Sequence, residues 1–158
     1  MPFVANPNGA EQRKLRRQLE AHHKRGDGIT ERIWSNLGNS DRHLRYAARI
    51  AVEHQPVDTW QRRALAEKEP RALINAMVAL ARQGSKPLQP RMVEALGTVS
   101  WSELEVSSQL ELLRAYGLTL ARLGAPAPPT RQALLHALDG HYPAQDVRLN
   151  REPRYHFL

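Results

Sequence analysis

The chain has no cysteine. That absence removes disulfides, thiolate zinc sites, iron–sulfur clusters, thiol nucleophiles and covalently attached c-type haem. No run of 18 apolar residues occurs, so the sequence holds no candidate membrane-spanning helix. Aromatic residues make up only 6%, and no stretch alternates Val, Ile, Thr and aromatics with polar residues, so strand signals are nearly missing. Glycines fall singly at the ends of apolar periods, and no GxSxG, Walker A or GxGxxG pattern is present. The start, Met1-Pro2-Phe3-Val4-Ala5-Asn6-Pro7, lacks the charged and apolar regions of a secretory signal. On that reading a complete chain is cytoplasmic.

What is present is an all-α pattern. With 158 residues, 41% hydrophobic and 25% charged, the chain is long enough and apolar enough to bury a core. Leu15 and Leu19 mark a helix over 11–24, with His22 or His23 extending its stripe. Thr30 caps a short helix carrying Ile33, Trp34 and Leu37, and Ser40 or Asp41 caps a longer one lined by Leu44, Ala47, Ala48, Ala51 and Val52. Asp58 opens a helix with Trp60, Leu65 and Ala66. Pro70 suits the first turn of the next, which runs through Leu73, Met77 and Leu80 to Gly84. Further helices follow over 87–96, from Ser107 or Ser108 to Leu123, and from a Thr130 cap over 131–138.

The formal charge of +7 is uneven: residues 1–50 hold ten Lys/Arg and five Asp/Glu, a balance of +5. Arg13, Lys14, Arg16 and Arg17 form the densest run. Such a stripe suits phosphate, an anionic surface or an acidic partner, and it equally suits a solvated helix face.

Self-comparison adds an internal repeat. Ala79-Leu80-Ala81-Arg82-Gln83-Gly84 recurs forty residues later as Thr119-Leu120-Ala121-Arg122-Leu123-Gly124, and the same slot lies twenty-nine residues earlier at Ile50-Ala51-Val52-Glu53-His54-Gln55. Each copy ends a longer helix and is followed by a turn and a shorter one. A helix pair repeated at this spacing predicts a short α-solenoid of roughly three to four pairs, in which stacking buries stripes that one pair cannot hide. Residues 1–152 read as one such domain, with an extended or disordered start at 1–9 and a tail at 153–158 that reads as a truncated last repeat. The alternative is a non-repeating helical bundle.

The segment from Asp41 to Ala51, DRHLRYAARIA, resembles the second helix of a HEAT repeat, with Asp41 and Arg45 as the repeat signature, four residues apart and able to pair. A broader likeness, over roughly 11–151, is to the HEAT-repeat segment of large modular bacterial proteins that join a dehydrogenase-like β-propeller to a c-type cytochrome domain. It is carried by Leu15-Arg16-Arg17-Gln18-Leu19, Ala64-Leu65-Ala66-Glu67-Lys68, Leu112 to Leu118, His141-Tyr142-Pro143 and Leu149-Asn150-Arg151-Glu152. The resemblance implies a fragment or shortened relative of those proteins, with an extracytoplasmic setting if cut from them. Their haem and propeller have no counterpart here.

No active site assembles from these residues. The seven histidines lack metal-ligand spacing, Glu103 with Glu105 and Glu67 with Glu69 suit helix starts, and Ser107 and Ser108 look like caps, so no catalytic, cofactor or metal residue is assigned. Trp34, Trp60 and Trp101 suit inter-helix packing. The leading expectation is a non-catalytic protein-binding or spacer module using Arg42, Arg45 and Arg49 on an inner helix. The competing one is nucleic-acid binding through the basic half, with Arg13, Arg16 and Arg17 added, by analogy with HEAT-like DNA glycosylases. A surface lent to a redox partner follows from the resemblance alone. An incomplete last repeat would favour a homodimer.

Overall fold

The computed structural model describes residues 9–26 and 28–151, and among these the chain is all-helical. The expectations for residues 1–8 and 153–158, including a truncated last repeat, lie outside the described residues. Among the described residues nine α-helices follow one another: α1 (Ala10–Glu20), α2 (Glu31–Ser35), α3 (Arg42–Glu53), α4 (Gln61–Ala66), α5 (Pro70–Gln83), α6 (Gln89–Gly97), α7 (Val106–Leu123), α8 (Pro128–Leu138) and α9 (Val147–Arg151). Short 3₁₀ turns bridge several of them, among them Trp101–Glu103 in the long connection before α7. None of these helices is long and apolar enough to cross a membrane.

The packing separates two layers. α1 packs on α3, α3 on α5 and α5 on α7, while α4 packs on α6 and α6 on α8. The layers meet where α4 lies against α5 and α6 against both α5 and α7. One hydrophobic cluster runs between them from Leu19 to Leu149. Alanines thin the contacts within it: Ala47, Ala48 and Ala51 on α3 and Ala76 and Ala79 on α5 are all at most 1% exposed. With no side chain beyond Cβ they let neighbouring helices approach closely, while Leu73, Met77, Leu80 and Leu113, each at most 2% exposed, fill the core around them.

Several helix ends follow local sequence rules. Thr30 caps α2 by accepting from the Ile33 N–H, at 3.3 Å. Asp41 caps α3 by accepting from His43 N–H at 2.7 Å. Glu69 caps α5, with Pro70 in the first turn where its missing N–H leaves no bond unmade. Others differ from expectation. α1 stops at Glu20 because the N–H groups of His22 and His23 turn back to the Leu19 and Glu20 carbonyls, both at 3.0 Å, tightening the last turn. The His23 ring then reaches Ala47 O at 2.8 Å instead of extending the α1 stripe. Ser107 and Ser108 do not cap α7: the helix begins at Val106, behind an extended Glu105, and Ser108 is buried inside it. Thr130 likewise lies within α8, because Pro128 and Pro129 have the fixed φ a first turn requires and start the helix earlier. Ala66, expected to pack with Trp60, is exposed, and Ala64 is the buried residue of α4.

Two tryptophans are held by their indole N–H groups. Trp60 is buried and donates its indole N–H to Gln55 O at 3.2 Å. Trp34 donates to Glu67 Oε2 at 2.6 Å, and the Arg63 guanidinium covers its ring at 4.4 Å from the centroid. Burial pushes the Glu67 carboxyl up, but N–H groups of Glu69, Trp34 and Lys68 and the Arg63 charge outweigh it, so the pKa lies below its ordinary 4.5. A depressed carboxylate adds stability above its unfolded pKa and loses that contribution as pH falls through the lowered folded value. Glu67→Gln is therefore expected to flatten the loss of stability as pH falls through and below the ordinary carboxyl value of 4.5, checked by urea unfolding across acidic pH.

Candidate functional site

Successive packing of α3, α5 and α7 leaves a groove of about 760 Å³ on the outer side of that layer. α3 supplies Arg42, Arg45, Tyr46 and Arg49; α5 supplies Ile74, Asn75 and Val78; α7 supplies Glu111, Arg114, Gly117 and Leu118. The three α3 arginines expected from sequence therefore share one wall, as spacings of three and four residues on a helix require.

Their roles differ. Arg45 is buried, at 9% exposure, and acts as a strut: its guanidinium donates to Asn39 O at 2.7 Å, Ser40 O at 2.9 Å and Glu111 Oε1 at 2.7 Å. The expected Asp41–Arg45 pair does not form. Asp41 spends its carboxylate on the N–H groups that open α3, which leaves Arg45 to hold the preceding turn and to tie α3 to α7. Glu111 depends on that tie, since its Oε2 is buried without a hydrogen bond. Arg49 pairs with Glu53 one turn along α3, and Glu53 also takes Arg82 Nε of α5 at 2.9 Å. The Glu53 side chain is only 6% exposed, so this carboxylate is a covered bridge between two arginines.

Arg42, by contrast, is exposed and has no ion-pair or hydrogen-bond partner among the described residues. Tyr46 stands 58% exposed on the same wall, with the Arg49 guanidinium 5.1 Å from its ring centroid. The lining carries four arginines and one carboxylate, and Glu53 just outside it matches Arg49, so positive charge remains in excess. Its floor is apolar where Val78 and Leu118 are half-buried. Gly117 lies inside α7 on that floor, not at a helix end as the glycines were expected to lie, and a Cβ placed there would meet nothing within 4 Å. A glycine in a helix interior costs about 1 kcal/mol relative to alanine. Gly117→Ala is thus expected to raise stability by about 1 kcal/mol, read from chemical denaturation.

The N-terminal arginines do not join this groove. Arg13, Arg16 and Arg17 lie on α1, where Arg16 pairs with Glu20 at 2.6 Å and Arg17 is exposed. A smaller hollow near the other end of the layers holds Trp101 stacked on His141, ring centroids 4.6 Å apart, beside the buried Tyr116, whose phenol burial keeps neutral by raising its pKa. Among the described residues no group of three or more His, Asp or Glu side chains converges on a point that could hold a metal ion.

No family model, curated protein or solved structure matches this chain.

Sequence reasoning missed Glu111, Arg114, Gly117 and Val78, all from α5 and α7. Their helices were recognised, but which faces meet α3 depends on the stacking order. A glycine inside the strongest apolar period of the chain was the one available signal.

Proposed function

We propose that this chain is a non-catalytic, HEAT-like solenoid domain that docks a protein partner in the α3–α5–α7 groove. The repeated pairing of a longer helix with a shorter one, with longer helices packed in succession and shorter ones behind them, supports the solenoid reading. The observation that carries the docking reading is the exposed Tyr46, with Arg42 exposed beside it and unpaired among the described residues, above a half-buried apolar floor, held by ion pairs within the groove wall. Amphipathic aromatics and arginine are the residue types that concentrate binding energy at protein interfaces.

Nucleic acid is the weaker reading. The α1 arginines lie outside the groove, and Arg45 and Arg49 already face carboxylates. A phosphate backbone would have to displace Glu111 or Glu53 to reach them.

Photo-crosslinking in the source cells, with a benzoylphenylalanine at position 46 and another at the exposed Arg62 of α4, tests the docking reading. Discrete protein adducts from position 46 and not from position 62 are expected. Equal patterns from both would end it, and a steep salt-dependent affinity for duplex DNA would favour the alternative.

A further inference from the structure

We infer that the groove accepts an amphipathic α-helix with acidic flanks, an inference that rests on the docking reading above and specifies the guest. The sign of the charge comes first. Arginine dominates the lining, and although Arg45 and Arg49 are already matched by Glu111 and Glu53, among the described residues Arg42 has no ion-pair or hydrogen-bond partner and stands exposed at the rim. A guest with carboxylates beside its apolar stripe neutralises that rim, whereas a basic guest is repelled.

The guest's backbone comes second. The groove walls are helices, whose N–H and C=O groups are consumed within each helix, so the walls have no free edge for an extended chain to pair with. Asn75 is the one side-chain amide in the lining, and its NH₂ already donates to Arg71 O at 2.9 Å. An extended peptide would find scattered side-chain partners here and no strand edge to pair its backbone with. A helix satisfies its own, which leaves its side chains to make the contacts.

Gly117 is the third observation. It opens a notch on α7 between the apolar floor residues, with empty space where a side chain would stand. A helix laid across α5 and α7 can bring an apolar residue down onto Val78 and Leu118 at that notch, while its flanks reach Arg42 on one side and Arg114 on the other.

The test uses the full chain and a fluorescein-labelled 18-residue peptide with Leu at positions i, i+3, i+4 and i+7 and Glu on the flanks, followed by anisotropy. Binding on the order of micromolar is expected, since an unoptimised helix on one groove reaches that range. Gly117→Leu fills the notch while replacing a poor helix former, so it is expected to weaken binding more than tenfold with an unchanged or higher Tm. Arg42→Glu is expected to weaken it at least tenfold with no loss of fold, because an acid in the first turn of a helix is favourable. A peptide of the same composition with a central proline is expected not to bind.

Equal binding by the proline peptide, or unaltered binding to Gly117→Leu, overturns the inference. Failure of the acidic helix while position 46 still crosslinks a protein overturns the helix but leaves the docking reading standing. Failure of both removes both.

Discussion

Replacing Glu53 by alanine is expected to lower stability by about 4 kcal/mol, because it strands two arginines at once. Glu53 is covered by the packing of α3 on α5, and its two oxygens serve different partners: Arg49 of its own helix and Arg82 of the next. Removing one partner of a covered ion pair leaves the other's charge desolvated without compensation, which costs far more than an exposed pair contributes. The Arg49 side chain is 11% exposed and cannot easily turn to water, whereas Arg82 is 48% exposed and can. Most of the loss should therefore trace to Arg49. In a Glu53→Ala, Arg49→Met double variant, a large part of the stability is expected to return, and urea unfolding of the four members of that cycle measures how much. Additive losses would mean that Arg49 relaxes into solvent on its own.

The second large effect is expected at Arg45, where truncation to alanine costs about 3 kcal/mol. Three acceptors lose their donor together: the Asn39 and Ser40 carbonyls of the turn before α3, and Glu111 of α7. Glu111 is left with one oxygen already buried without a hydrogen bond and a second newly unpaired. Arg45→Lys should recover only part of the loss, because a single ammonium cannot span two turn carbonyls and a carboxylate as the planar guanidinium fork does. Adding Glu111→Gln to Arg45→Ala removes the stranded charge, and thermal unfolding is expected to show a partial return of Tm.

Arg45 and Arg49 were picked out from sequence, whereas their partners Glu111 and Glu53 were not. Arg42, Arg45 and Arg49 fall on one helix face by spacing alone, and the apolar positions of α3 and α5 followed from their period. Asp41 was placed correctly at the start of α3 but given the wrong partner. Capping is a short-range bond to the backbone, and it won the carboxylate over a pair four residues away. Ser107, Ser108 and Thr130 misled for a related reason: they are favourable caps, yet Glu105 and the Pro128–Pro129 pair start their helices earlier. The groove floor was hidden because it belongs to three helices, and no local pattern says which residues of α5 and α7 will face α3. Gly117 marked the place without saying what it faced.

The link between Arg45 and Glu111 also bears on how the chain acquires its structure. It joins residues 66 positions apart, against 40 for the bond between Arg122 and Arg82. Most of the helix pairing is between near neighbours along the chain, a topology that closes small loops and folds quickly. The Arg45 bridge closes a much larger loop and has to wait until α3, α5 and α7 are already side by side. Its removal should then leave the folding rate almost unaltered and appear as faster unfolding, so the bond acts as a latch that sets how long the assembled layer survives.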